Sequence, residues 1–255
     1  MHSATALQIE APQSQNSGRT KTIAKKMHTR IKGGAVEWIF LATDSPSAGP
    51  RNPGGKSHGP CADDHFEGGF VLEVISTAIE AVKIITPKVL TDTRGALSET
   101  HNKMRLAETG IDLDFVQDNQ SWSPRAGTVR GLHFQSFPKA QHKLVRALRG
   151  SILDVAVDLR RASKTYGRWV AEELSAENRK QMLVPIGFAH GFCTLEPNTE
   201  VFYKVTDYYS PEHDLGVAWN DPQLAIAWPV APAEAILSDR DLRLPDFRSL
   251  PPYFE

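Results

Sequence analysis

The feature that most constrains the fold is a series of short segments rich in Val, Ile, Tyr, Phe and Trp that begins at about residue 72. Turn residues separate these segments at intervals of about ten residues. In "SILDVAVDL" the alternation is clear, because Leu153, Val155 and Val157 share one strand face while Asp154 and Asp158 share the other. The pattern predicts β-strands throughout this part of the chain.

Helical patterns are rare beside these segments. The stretch "SETHNKMRLAETG" predicts one short helix, and Gly110 follows it where a left-handed C-cap residue is needed. Many short strands with few helices favour an all-β antiparallel sandwich or barrel of the jelly-roll kind. No repeat of fixed period and no glycine-rich phosphate loop occurs in the sequence.

Residues 1–70 have a different composition, as in "SPSAGPRNPGGKSHGP", and we expect a largely disordered extension ahead of a jelly-roll domain at 71–255. Between Arg19 and Lys32 the extension carries several basic residues and no acidic one, a weak transit-peptide signal. A plain disordered tail, or translation assigned from an upstream start with Met27 as another candidate, fits the composition better.

Composition excludes several classes of protein. Lys and Arg number 29 against 30 Asp and Glu, so the formal net charge of -1 gives no general attraction to nucleic acid or to an anionic membrane. Cys61 and Cys193 are too few for a disulfide scaffold or a zinc ribbon, and Cys193 is predicted to be a buried apolar side chain. Apolar runs such as "AVEWIFLA" are too short to span a membrane, and we expect a cytoplasmic protein.

The stretch "TVRGLHFQSFPKAQHKLVRALRGSILDVAVD" places Arg130, His133, Lys143 and Asp154 among apolar residues of neighbouring predicted strands. Opposed charges inside a barrel are costly unless each is paired or serves a ligand. Although a single histidine in a core is commonly structural, this cluster favours a functional site.

A metal site is not predicted. Cupin-type jelly rolls often hold a metal with a His-x-His pair and later Glu and His ligands, whereas Gln135 stands two residues after His133. His142 has an unsuitable spacing, and His190 in "PIGFAHGF" has at most one histidine partner. Transition-metal sites need three or four good ligands, so we expect no metal.

Strand parity in "EVFYKVTDYYSP" puts Val201, Tyr203 and Val205 on one face. Tyr203 is either core filler with its hydroxyl at the barrel mouth, or a general acid with an ordinary pKa near 10. The pattern leaves both interpretations open.

Several long motifs together resemble the dTDP-4-dehydrorhamnose 3,5-epimerase family, in the expected order from about Glu73 to about Leu242: "FVQDNQSWS", "GTVRGLHFQ", "QHKLVRALRGSILDVAVDLR", "VPIGFAHGFCTL", "FYKVTDYYSP" and "WNDP". The resemblance implies a double-stranded β-helix, the cupin-like jelly roll, in a homodimer without a cofactor. It also implies a nucleotide-sugar substrate, dTDP-4-dehydro-6-deoxyglucose, whose C3 and C5 are inverted in dTDP-L-rhamnose biosynthesis.

By this resemblance His133 is the catalytic base, and a neutral imidazole is available near neutral pH. A carboxylate behind the ring fixes its tautomer and stabilises the imidazolium. The resemblance places this carboxylate in "LSDRD", most naturally at Asp241, while Asp239 stays possible and Asp154 is a geometric rival.

Lys143 is expected to stabilise the enolate that forms at O4, and Tyr203 to return the proton from the opposite face. The other matching positions are expected to contact the substrate: Arg94, Glu99, Gln117, Asn119, Arg130, His190, Asp214 and Arg240. The segment with Arg94 is expected to reach the neighbouring subunit's site, although Arg94 can also be an ordinary turn residue. Asp214 and Arg240 depart from the usual Glu and Lys of the family.

Other functions remain open at this level. A related enzyme that inverts only C3 or only C5, or that moves the ketone, would keep the same histidine and lysine. A metal-dependent cupin oxygenase and a catalytically silent nucleotide-sugar-binding cupin are more distant alternatives.

Overall fold

The computed structural model describes residues 25–32, 35–42 and 72–255 of the 255-residue chain. In the first of two compact units, Met1–Ala62, strands β1 (Lys25–Lys32) and β2 (Ala35–Ala42) pair as an antiparallel hairpin. The expectation of a disordered extension, with a transit peptide as its alternative, otherwise falls outside the described residues and stays a prediction.

The second unit spans Asp63–Glu255, and where it is described its regular secondary structure is mainly β-strand. Its strands are β3 (Leu72–Ser76), β4 (Lys83–Pro87), β5 (Leu90–Asp92), β6 (Gly95–Leu97), β7 (Gln117–Ser123), β8 (Val129–Gln135), β9 (Lys143–Arg149), β10 (Ser151–Asp158), β11 (Trp169–Ser175), β12 (Gln181–Val184), β13 (Phe188–Thr194), β14 (Thr199–Val205) and β15 (Asp214–Gly216).

Two antiparallel sheets make up this unit, beside a small hairpin of β5 and β6. One sheet has the strand order β3-β4-β12-β9-β14-β7, and the other has the order β11-β10-β13-β8-β15. Most connections after β8 cross from one sheet to the other, which is how a double-stranded β-helix is wound. The predicted jelly roll is confirmed.

The main core fills the space between the two sheets. Ile152 and Ala156 of β10 pack there with Val145 and Met182 of the opposite sheet. Complete burial of one such aliphatic side chain stabilises the fold by about 2 kcal/mol. Polar residues on the same inner faces therefore lie beside a packed apolar core that fixes the positions of the strands.

The predicted alternation in β10 is confirmed, but both of its faces are buried. Leu153, Val155 and Val157 form a second cluster outside the sheet, under the C-terminal segment. Asp154 and Asp158 on the other face have no exposed surface. Because β10 lies between β11 and β13, its polar residues have no route to solvent and need partners within the protein.

The predicted helix is also confirmed, as α1 (Lys103–Glu108). It begins after Asn102, whose side-chain oxygen accepts a hydrogen bond from the Arg105 N–H. Gly110 follows at φ +86° and donates its N–H to the Ala107 carbonyl. In the part of the chain that the structure describes, no helix is long and apolar enough to cross a membrane.

Strands β8 and β13 approach each other unusually closely at Gly131, where their register shifts between His190 and Phe192. Gly131 has φ +121°, and a Cβ there would lie 2.6 Å from the Gly191 Cα and 2.7 Å from the His190 carbonyl oxygen. Only glycine fits between these two strands. The contact sets the distance between the strand that carries His133 and the strand that carries His190.

We predict that Gly131→Ala lowers the free energy of unfolding by on the order of 3 kcal/mol or more, since the new methyl group meets main-chain atoms that cannot move aside. Gly110→Ala is the matched control: its φ is also positive, but nothing lies within 4 Å of the added carbon. Its cost should be ~1–2 kcal/mol. Urea unfolding of both variants checks this, and equal losses would contradict it.

Candidate active site

Two adjoining cavities lie between the inner faces of the sheets. The larger cavity has a volume of about 500 Å³, and the smaller cavity has a volume of about 220 Å³. They share His133, Lys143, Tyr203 and Arg240, which therefore stand where the two spaces meet. A concave space with several convergent polar groups is the usual form of a small-molecule site.

Most of the residues predicted for the site line these cavities, although they come from positions far apart in the sequence. Arg130, His190 and Asp241 line the larger cavity, in addition to the four shared residues. The smaller cavity adds Gln117, Asn119 and Asp214. Their placement is given by the fold, whereas the role of each remains a prediction.

Arg94 and Glu99 are not among the lining residues of either cavity. Arg94 lies in the turn between β5 and β6 with 86% of its side chain exposed, and its Nε donates to Asp92 at 2.9 Å. Glu99 is bound by Asn102 and Arg105, with 2.8 Å between its Oε1 and the Arg105 Nε. Within its own chain this segment belongs to the surface.

The carboxylate bonded to His133 is that of Asp241. Its Oδ1 lies 2.7 Å from the His133 Nε2, and the Asp241 side chain is only 4% exposed. Asp239, the alternative in "LSDRD", is exposed instead. Since an ionised carboxylate only accepts hydrogen bonds, the Nε2 of a neutral His133 carries the proton and leaves Nδ1 as its basic nitrogen.

The surroundings of Asp241 keep it ionised. Burial is the largest single influence and raises the pKa of Asp241, but the hydrogen bond and charge of His133, the Gly131 N–H and the Ser238 hydroxyl together outweigh it, so this pKa is lower than usual. The Gly131 N–H is 3.5 Å from Oδ2. The glycine that sets the strand spacing thus also contacts the partner of His133.

Asp154, the other alternative as a partner for His133, is bonded to His190 instead. Its Oδ1 lies 2.7 Å from the His190 Nε2, and both side chains are buried. His190 is directly opposite His133 in the register of β13 and β8. The sheet therefore presents two neighbouring imidazoles, each held by its own aspartate.

Lys143 lines both cavities, as His133 does. Its Nζ donates to the His133 carbonyl oxygen at 3.2 Å. Burial lowers the pKa of Lys143 to about 8, while the charges of Asp214 and Asp154 oppose this and that of Arg240 adds to it. The ammonium is therefore still largely protonated at neutral pH. Its positive charge lies where the two cavities meet.

Tyr203 projects from β14, where it is opposite Asn119 of β7 and Val145 of β9. Its ring packs against the main core, so it does fill the core edge as one interpretation expected. Burial raises the pKa of its phenol and the charge of Asp214 adds to this, whereas Arg130 opposes it. The phenol is thus a protonated group at the cavity wall, able to donate a proton.

Tyr209 lines the smaller cavity but is not among the site residues predicted from the sequence. Its hydroxyl donates to the Asp214 Oδ2 at 3.1 Å, and the same oxygen lies 2.6 Å from the Arg240 Nη1. The only signal was its position in "DYYSP", directly after the strand of Tyr203. A tyrosine after a strand has many possible environments, and only the fold brings this one beside β15.

Among the described residues, no group of three or more His, Cys, Asp or Glu side chains is arranged to hold a metal ion. Cys193 is buried beside Val129 and Trp219 as predicted, and burial raises the pKa of its thiol to about 11. The thiol is therefore protonated and not a ready metal ligand or nucleophile.

Comparison with known proteins matches residues 76–249 to the family model described as dTDP-4-dehydrorhamnose 3,5-epimerase. The chain belongs to this family. The enzyme of that name from Sinorhizobium fredii is 49% identical over 180 residues, which are 71% of this chain and 92% of that protein.

Solved structures of the family agree with the fold. The epimerase from Bacillus anthracis, with TDP and PPi bound, has 52% identity and a TM-score of 0.67, covering 69% of this chain and 99% of its own. The Legionella pneumophila epimerase, in complex with dTDP-4-keto-L-rhamnose, has 44% identity and a TM-score of 0.67, covering 71% and 95%. The predicted family, isomerase class and jelly-roll fold are confirmed.

The cost of burying the charged Lys143 ammonium can be tested by substitution. Lys143→Met should stabilise the folded protein by about 1–2 kcal/mol at pH 7, because it removes a desolvated charge. Lysine titrates near 10.4 in the unfolded chain and at about 8 here. Between these pH values the unfolded wild type binds more protons, so wild-type stability rises with pH and the advantage of the variant disappears.

Urea unfolding at pH 7, 9 and 10 measures this difference, with the exposed Lys164 substituted in the same way as a control. Lys164→Met should differ little from the wild type at every pH. A stability difference for Lys143→Met that does not change between pH 7 and pH 10 would show that its charge is not the cause.

Proposed function

We propose that this protein converts dTDP-4-dehydro-6-deoxy-D-glucose to dTDP-4-dehydro-L-rhamnose by epimerisation at C3 and C5, in dTDP-L-rhamnose biosynthesis. The observation that carries the mechanism is the meeting of three groups where the cavities join: an aspartate-bound imidazole, a buried ammonium and a protonated phenol. This set can remove a proton, stabilise an enolate and return a proton.

The reaction needs no change of oxidation state. The 4-keto group acidifies the hydrogens on C3 and C5, and the His133 Nδ1 takes one of them while the C–H electrons move to O4. The Lys143 ammonium stabilises the resulting enolate oxygen, an interaction worth a few kcal/mol in a preorganised site. Tyr203 then protonates the same carbon from the other face, and exchange with water restores both side chains.

The nucleotide is proposed to bind through the remaining polar residues of the two cavities. Gln117, Asn119, Asp214 and Arg240 offer hydrogen bonds in the smaller cavity, and Arg130 and His190 in the larger one. Within residues 72–255, Arg130 has no carboxylate partner, and its guanidinium contacts the Ser123 hydroxyl and the Trp122 carbonyl. It is therefore suited to an anionic substrate, for which guanidinium groups are the preferred ligands.

A homodimer is part of this proposal. The β5–β6 turn presents Arg94 to solvent, and Leu97 beside it is 61% exposed, so this hairpin is suited to contact a second copy. We expect Arg94 and Glu99 to bind nucleotide in the partner's site. A cytoplasmic location remains a prediction.

Proton exchange in heavy water tests the reaction. With the 4-keto substrate, the wild type should place deuterium at both C3 and C5, as read by NMR. His133→Ala should lower both rates by about 10²–10⁴-fold, because it removes the proposed base. Tyr203→Phe should still exchange protons through His133 but should form far less inverted product.

His142→Ala is the matched control, since His142 is the adjacent histidine of the sequence and does not line either cavity. Its activity should stay close to that of the wild type. Deuterium at one carbon would favour the single-carbon epimerase, and binding without exchange would favour the silent binder. Full activity of His133→Ala would remove this histidine as the base.

Mixing two inactive variants tests the dimer. If Arg94 acts in the partner's site, Arg94→Ala and His133→Ala form mixed dimers in which one of the two sites has both residues. Random exchange of subunits makes half of the dimers mixed, so activity should recover to about a quarter of wild type, as for any two-fold dimer with shared sites. No recovery after demonstrated subunit exchange would place Arg94 outside the partner's site.

A further inference from the structure

Gln135 has no role in the proposed chemistry, yet both polar atoms of its side chain are hydrogen-bonded within the protein. It lies on β8 two residues after His133, and the whole residue is 5% exposed. Its amide nitrogen donates to the Lys139 carbonyl at 2.6 Å and to the Tyr208 carbonyl at 3.2 Å. Its amide oxygen accepts from the Ser210 N–H at 2.8 Å.

All three partners are main-chain groups of two loops, 136–142 and 206–213. Buried main-chain groups must be satisfied, and in a loop no neighbouring strand provides the partners. A primary amide is the one uncharged side chain that offers two donors together with an acceptor, so it can hold both loops at once. An apolar residue of similar size would leave these three main-chain groups, which are partly shielded from solvent, without this partner.

The segment that Gln135 holds carries Tyr209, which lies between its two contacts at Tyr208 and Ser210. The Tyr209 N–H donates to the Gln117 Oε1 at 3.0 Å, and its hydroxyl donates to Asp214. The position of Tyr209 in the smaller cavity thus depends on main-chain groups fixed from β8.

The connection continues to the base. Asp214 pairs with Arg240, which precedes Asp241, and Asp241 is bonded to His133 on the same strand as Gln135. A closed path of contacts therefore leaves β8 at Gln135 and returns to it at His133.

We propose that Gln135 is a positioning residue, which fixes the Tyr208–Ser210 segment as the wall of the smaller cavity and so aligns the nucleotide with the base. This inference rests on the proposed function, because it assigns part of the nucleotide to the smaller cavity. Although Gln135 also lines the smaller cavity, its side-chain hydrogen bonds all go to main-chain groups, and it acts through these.

Two substitutions separate the parts of this role. Gln135→Glu keeps the size and the acceptor for the Ser210 N–H, but an ionised carboxylate cannot donate to the carbonyls of Lys139 and Tyr208. Gln135→Met removes all three hydrogen bonds. If Gln135→Met does not fold, Gln135→Glu still provides the measurement.

Asn178 offers a matched control elsewhere in the chain. Its side-chain amide also bonds three main-chain groups, accepting from Ser175 and Lys180 and donating to the Glu173 carbonyl. It lies in the turn between β11 and β12, and neither cavity includes it. Asn178→Asp and Asn178→Leu therefore test the loss of a similar clamp that has no connection to the site.

The experiment measures dTDP affinity by calorimetry, steady-state kinetics with the 4-keto substrate, and hydrogen exchange of a peptide covering 206–213. Both Gln135 variants should weaken dTDP binding and raise KM about tenfold or more, leave kcat within about threefold, and speed exchange in that peptide. The Asn178 variants should lose stability only, with dTDP affinity as in the wild type.

Unchanged dTDP affinity and KM in a folded Gln135 variant would overturn the proposal, as would an equal loss of affinity in the Asn178 variants. A fall in kcat at constant KM would also overturn it, because that places Gln135 in the chemistry. If the wild type neither binds dTDP nor exchanges substrate protons, the proposed function fails instead. In that case unaltered exchange in peptide 206–213 still refutes the clamp.

Discussion

The hydrogen bond between His133 and Asp241 is the interaction on which the rest of the site depends. A carboxylate that is 4% exposed is costly unless it is paired, and here the imidazole and the Gly131 N–H provide its partners. In return, the carboxylate fixes the ring and leaves Nδ1 basic. The Gly131 N–H that contacts this carboxylate lies where β8 and β13 approach each other closely, and a side chain does not fit at Gly131.

The other charges of the interior follow the same rule. Asp154 is held by His190, and Asp214 by Arg240 and Tyr209. Lys143 is the exception, because its Nζ contacts a carbonyl oxygen rather than a carboxylate. Its pKa is lowered because burial destabilises the charged form of the side chain. A cation without a close anion is costly for stability, and it is also the group best prepared to receive a developing enolate.

Much of the fold could be predicted from the sequence. The alternation in β10, the helix ended by Gly110 and the family motifs are local patterns, and the structure confirms the elements that they predict. The site residues are also largely those that the motifs indicate. The choice between Asp241, Asp239 and Asp154 could not be made in this way, since all three are aspartates near the right motifs. Only the fold bonds Asp241 to His133 and Asp154 to His190, and leaves Asp239 exposed.

The sequence by itself determined the strand pattern, the family and the residue types that can carry out proton transfer, because these depend on local periodicity and on motif order. The tertiary structure decided which groups meet. It brought Tyr209 to Asp214, paired Asp154 with His190, and placed Gln135 between two loops. Such contacts join residues of different strands and loops, so they depend on sheet register and strand spacing, which no single segment of the chain specifies.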